Sequence, residues 1–223
     1  MLPTQTVQEL AVQLDLQDAQ LHGDLRLPAT PRGIILFAHG SGSSRRSPRN
    51  RFVARALGEA GLATFLFDLL TEREEATDAY TAEFRFDLPR LTRRLLGATR
   101  WIRAQKLTAA LSVGYFGAST GAAAALRAAA EEPEGIFAVV SRGGRPDLAG
   151  PALSKVLAPT LLIVGGYDTE VITLNQQALE QLPGEKALTI VPRATHLFEE
   201  PGALEQVATL AADWFGRHAP GER

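Results

Sequence analysis

The 223-residue chain contains no cysteine, which excludes disulfides, thiolate metal sites and a cysteine nucleophile. Lysine is nearly absent: Lys106, Lys155 and Lys186 stand among cations that are otherwise arginine. The net charge of −2 lacks the basic excess of a nucleic-acid binder, so no nucleic-acid partner is expected. Apolar runs stop short of membrane-spanning length, and no basic-then-apolar leader opens the chain. A cytoplasmic protein without a membrane partner is therefore expected. Repeats and low-complexity linkers are missing as well, so residues 1–223 are expected to form one domain. A hydrophobic content of 45% is enough for a sizeable core.

Apolar runs alternate with helical patterns along most of the chain. Residues 6–27 predict two strands around a polar turn near Asp15 to Gln20, an antiparallel hairpin. Gly33 to Ala38 (GIILFA) and Leu62 to Phe67 (LATFLF) are continuous apolar runs, as in strands buried on both faces. Between them, Ser47-Pro48 opens a helix with Ser as N-cap and Pro at the first position, and Gly61 ends it. Its apolar face is Phe52, Val53, Ala56, Leu57 and Ala60. Thr71 to Arg85 is polar and aperiodic and predicts a loop. Asp87 caps a further helix with Leu88, Leu91, Leu95 and Ile102 in one stripe. Arg90, Arg93, Arg94, Arg100 and Arg103 on that helix are expected to form a solvated outer face. Leu111–Phe116, Gly135–Val140, Thr160–Val164 and Ala187–Val191 are strand-like, and helices are expected near Leu174 to Leu182 and over Ala203 to Phe215. Such alternation predicts an α/β fold with a mostly parallel sheet and helices on both faces. Reactive groups then belong in loops at the carboxyl ends of the strands.

Gly117-Ala118-Ser119-Thr120-Gly121 carries the clearest chemical signal. The Gly-x-Ser-x-Gly pattern lies between the strand-like run ending at Phe116 and the Ala-rich helix from Thr120 to Ala130. A serine on a sharp strand-to-helix turn has its hydroxyl raised above the sheet edge, beside the free N–H groups of the helix N-terminus. A serine hydroxyl needs a base, and the base needs an orienting acid. Of four histidines, His22 lies in the N-terminal hairpin and His218 in a polar tail expected to be solvated. His39 follows the Gly33–Ala38 strand and is expected to tether its loop. His196 follows the last strand and is the candidate base. Asp168, after Gly165-Gly166-Tyr167, is the candidate acid; Glu170 and Asp147 compete for that role. An oxyanion needs preorganised donors, and the Thr120 N–H and the Ser41 N–H in His39-Gly40-Ser41-Gly42 are the candidates. The Gly/Ser loop lacks the Lys-Ser/Thr ending of a P-loop, so no nucleotide cofactor is expected, and the mechanism calls for no metal. Arg142 is a candidate substrate contact, able to bind a carboxylate bidentately or to pair structurally with Asp147 or Asp168. Tyr80, in the segment expected to wall the pocket, is a second.

HGSGSS at 39–44, GASTG at 117–121, GGYD at 165–168 and ATH at 194–196, in that order, resemble the α/β-hydrolase superfamily and, within it, its dienelactone-hydrolase-like branch. The resemblance covers nearly the whole chain. It implies an α/β-hydrolase fold and a catalytic set of Ser119, His196 and Asp168. The short 142–158 connection leaves no room for a large cap. The chain departs from dienelactone hydrolases in carrying Ser119 where they use cysteine, and Gly40 where they carry a glutamate. These departures favour a serine esterase acting on small esters or lactones, as a monomer or homodimer. The same three residues could serve thioesters, amides or phosphotriesters, and a non-catalytic binding protein on this fold is the remaining alternative.

Overall fold

The computed structural model describes residues 7–221; Thr6 of the expected hairpin and the last two residues of the polar tail lie outside them. Strands β1 (Gln8–Asp15), β2 (Gln20–Leu27), β3 (Ile34–Ala38), β4 (Ala63–Phe67), β5 (Val113–Ala118), β6 (Ile136–Arg142), β7 (Thr160–Gly165) and β8 (Lys186–Val191) form one sheet in the order β1-β2-β4-β3-β5-β6-β7-β8. β1–β2 and β2–β4 are antiparallel, and every later pairing is parallel. This is the mostly parallel sheet expected from the alternation, in the α/β-hydrolase arrangement that the resemblance implies. β3, β4 and β5 are buried at every position, which is why their sequences read as unbroken apolar runs.

Helices α1 (Pro48–Glu59) and α6 (Ala203–His218) cover one face, burying Val53, Leu57, Val207, Ala211 and Phe215 against Ile35, Phe37 and Phe116. On the other face α3 (Leu88–Ala104), α4 (Thr120–Glu131) and α5 (Thr169–Gln181) bury Leu91, Leu95, Ala123 and Ala178 against Leu36, Tyr115 and Leu162. The 142–158 connection contains the 3-10 segment Pro146–Lys155. Among the described residues no helix is long and apolar enough to cross a membrane.

Three local expectations are corrected. The segment Thr71 to Arg85 is not a loop: Glu72–Thr81 forms helix α2. It has no apolar stripe to announce it and is started by a capping box, in which the Thr71 side chain accepts from Glu74 N–H while Glu74 accepts from Thr71 N–H. The arginines of α3 do not all face water. Arg94 is 1% exposed and donates to both oxygens of Glu74 and to the Leu69 carbonyl, and Arg90 is half-buried against Glu74 and Asp87. Burial works to raise the Glu74 carboxyl, but Arg94 outweighs it, with the Thr71 N–H and hydroxyl, and pulls it down to about 2. His218 is not free in a solvated tail: its Nδ1 lies 2.8 Å from the Trp214 carbonyl and its Nε2 3.2 Å from Glu185.

Candidate active site

The carboxyl ends of β3, β5, β7 and β8 bring the marked residues to one edge. Ser119 joins β5 to α4 in a strained backbone conformation, φ 49° and ψ −124°, as a nucleophile elbow requires. Its carbonyl accepts from the N–H groups of Ala122 and Arg145, and its own N–H donates to the Arg142 carbonyl, which holds the turn. Gly121 is there for space: a Cβ on it would stand 2.2 Å from the Ala38 carbonyl oxygen. Helix and central strand could then not approach closely enough to form the elbow.

β7 and β8 are neighbouring parallel strands that finish level, with Gly165 opposite Val191. The loops that leave them therefore meet. Asp168 Oδ2 lies 2.6 Å from His196 Nδ1, a short charge-assisted contact that orients the ring and leaves its Nε2 free of it. Asp147 is engaged elsewhere: both its oxygens take the Arg145 guanidinium at 2.7–2.8 Å. Ser119 Oγ and His196 share no hydrogen bond. The loop of His196 nonetheless packs on the residue after Arg142, since a Cβ at Gly143 would lie 3.0 Å from the His196 carbonyl oxygen and 3.6 Å from its Cε1.

Across the edge, the β3 loop carries Ser41, whose Oγ lies 3.1 Å from Thr120 Oγ1. That contact ties together the two segments whose N–H groups are the candidate oxyanion donors. Gly40 packs directly behind the serine: a Cβ there would lie 2.9 Å from Ser119 Cβ. A glutamate at this position, as the resemblance leads one to look for, would displace Ser119. His39 is buried, and its two ring nitrogens serve the backbone. Nδ1–H donates to the Gly40 carbonyl at 3.0 Å, and Nε2 accepts from Leu69 N–H at 2.9 Å. That pattern needs the neutral ring. Burial lowers the imidazole pKa, against smaller raising effects from Gly40 and Asp68.

A cavity of about 170 Å³ opens beside this loop, lined by Ser41, Leu69, Glu75, Asp78, Arg85 and Thr120 among others. The Thr71 to Arg85 segment walls this cavity through Glu75, Asp78, Ala79 and Arg85, while Ser119, Asp168 and His196 are not among its lining residues. Asp78 makes this wall rigid: it is 3% exposed, accepts from the N–H groups of Phe84 and Arg85, and pairs with the Arg85 guanidinium. Burial works to raise the Asp78 carboxyl, but these donors outweigh it and hold it below the usual range. Tyr80 is 93% exposed and is not among the lining residues. Arg142 is buried at the end of β6, with Ser119 N–H on its carbonyl; it pairs with neither Asp147 nor Asp168.

No family model matches the chain. A solved structure described as a dienelactone hydrolase from Anabaena variabilis is 59% identical, covers 96% of this chain and 99% of its own, and superposes with a TM-score of 0.94. The esterase domain of a Rhodothermus marinus protein is 20% identical over 96% of this chain and 100% of its own, with a TM-score of 0.75, a likeness of fold. Two curated proteins from Mycobacterium tuberculosis strains, each named "Putative phosphoribosyl transferase", are 60% identical over 199 residues, or 89% of this chain. The chain spans 44% of the length of these curated relatives.

Proposed function

The chain belongs to the dienelactone-hydrolase-like α/β-hydrolases, and from that premise we propose that it is a serine hydrolase of small carboxylic esters or lactones. The observation that carries the reading is the 2.6 Å contact between Asp168 and His196 Nδ1 at the edge where Ser119 occupies its strained turn. Ser119 Oγ attacks the carbonyl carbon and gives its proton to His196 Nε2. Asp168 holds the tautomer and stabilises the imidazolium. The N–H groups of Ser41 and Thr120 receive the oxyanion. His196 then protonates the leaving alcohol, and water admitted by the same base resolves the acyl-enzyme. The cavity beside Ser41 takes part of the substrate, with α2 as its wall.

The transferase activity named for the mycobacterial relatives is not proposed for this chain. The match covers less than half of those proteins, and the matched fold is a hydrolase's. The departures at Ser119 and Gly40 support a serine esterase over a dienelactone hydrolase in the strict sense.

Intact-mass spectrometry after exposure to a fluorophosphonate probe tests the nucleophile. One adduct is expected on the wild type and none on Ser119→Ala. Folded wild type that gains no adduct would refute the reading and leave a binding protein on a hydrolase fold. A kcat/KM panel of matched ester, lactone, thioester, amide and phosphotriester then ranks the substrate classes.

A further inference from the structure

Arg142 is a buried charge left unanswered by its surroundings. The residue is 8% exposed, and its Nε and Nη1 are sealed from solvent with no hydrogen-bond partner among the described residues. No carboxylate among them lies within ion-pair distance of it. The charge that acts on it has the same sign: Arg49, in the first turn of α1. Burial, and then repulsion from Arg49, push the Arg142 guanidinium down to about 10, which leaves it charged at neutral pH. Arg49 shares only part of this pattern: its Nε is buried and unbonded, but its side chain is 31% exposed and its Nη1 donates to Glu199 at 2.9 Å. A fold that buries a guanidinium without a counter-charge carries a large desolvation penalty. Two neighbouring guanidiniums add repulsion to it.

The place matters as much as the charge. The Arg142 carbonyl holds Ser119 N–H. Gly143 packs against His196, and Glu199, which holds Arg49, lies three residues beyond that histidine. Arg142 Nη2 is not sealed as its two companions are, which leaves an approach for a ligand.

We propose that Arg142 and Arg49 form an anion site behind the loop of His196, taking an oxyanion of the carboxylate or phosphate type. Guanidinium groups attract such planar or tetrahedral oxyanions, and the approach to Arg142 is from Nη2, the nitrogen that is not sealed. The anion has two possible sources, a free inorganic ion or a carboxylate carried by the substrate.

The first arm of the test is thermal melting in a zwitterionic buffer with low-millimolar sodium phosphate or acetate added at matched ionic strength. Wild type is expected to gain a saturable rise of about 2–4 °C with at least one of the two anions, and Arg142→Met none. Arg49→Gln, which keeps Arg142, is expected to weaken the response and carries the comparison if Arg142→Met fails to fold. The second arm rests on the hydrolase reading. It compares kcat/KM for a 4-nitrophenyl ester with an ω-carboxylate and its neutral counterpart of equal length. A fall of tenfold or more in that ratio in Arg142→Met, a loss of about 1.4 kcal/mol in discrimination, assigns the site to a substrate carboxylate. A melting response without that fall assigns it to a free ion. Melting curves that respond to neither anion, or that respond equally in wild type and variants, together with an unchanged ester ratio, would overturn the proposal. If wild type hydrolyses neither ester, the hydrolase reading fails and the melting arm alone decides.

Discussion

Two histidines stand on loops at the same sheet edge, and the fold commits them differently. His39 has both ring nitrogens bonded to backbone, at Gly40 and Leu69, and is buried. Its ring ties the β3 loop to the start of the α2 wall and has no nitrogen left for a reaction. His196 has one nitrogen on Asp168 and the other free of that contact, on a side chain 38% exposed. A proton carrier needs one oriented nitrogen and one available nitrogen, and of the two rings His196 meets that condition. Being near a serine is not enough; what matters is how many bonds the ring has already made.

The largest expected effect separates the two rings directly. His196→Ala should lower kcat/KM by about 10⁴–10⁶-fold with an unchanged circular dichroism spectrum. His39→Gln, although on the same edge, should lose at most about 10²-fold through displacement of the Ser41 loop. Steady-state assays giving the reverse order would break the comparison. Next in size, Asp168→Asn should reduce kcat by about 10⁴-fold, because the amide favours the wrong tautomer; assays of Asp168→Asn beside Glu170→Gln and Asp147→Asn check whether the loss is specific to Asp168.

Gly40→Ala should come third. Its new Cβ pushes on Ser119 Cβ from 2.9 Å, and a displaced nucleophile costs about 10–10²-fold in kcat. Slower labelling by the fluorophosphonate, with an unaltered melting temperature, would sharpen the assignment of the effect to the serine.

The smallest effect concerns stability. His39→Gln should cost about 1–3 kcal/mol in denaturant unfolding, since buried backbone groups lose a partner. The pH dependence has a definite sign. The folded imidazole pKa lies below the unfolded value of 6.5, so on acidification through 6.5 the unfolded chain takes up a proton that the folded ring refuses. Stability falls as pH drops below about 6.5 and is fully regained above it. His39→Gln should therefore show a flatter stability curve over pH 5–6.5 than wild type.

Much of this molecule was legible along the chain. Strands buried on both faces announced themselves as apolar runs, and the Leu88, Leu91, Leu95 and Ile102 stripe of α3 was found buried. The elbow was readable because its geometry follows from short-range constraints on a few residues. Helix α2 was not, although Thr71-x-x-Glu74 is a capping signal. Its residues have no apolar stripe, and its anchor, Arg94, lies on another helix. Arg94 borders the apolar stripe of α3, and nothing local says whether a carboxylate waits beside it. Arg142 has the same local ambiguity with the opposite outcome, burial with no carboxylate partner. Tyr80 illustrates the limit of composition: an aromatic in a wall segment can still face solvent.

By itself, then, the amino-acid sequence determined the strand-and-helix alternation, the serine on its turn and the histidine after the last strand, because these depend on neighbours a few residues apart. Which carboxylate meets that histidine was a tertiary matter. Asp168 and His196 approach because β7 and β8 lie side by side and end level, while Asp147 is drawn off by Arg145. Pairing between distant side chains depends on strand order and on which competing charges are already engaged, and neither is encoded in the spacing of the residues themselves.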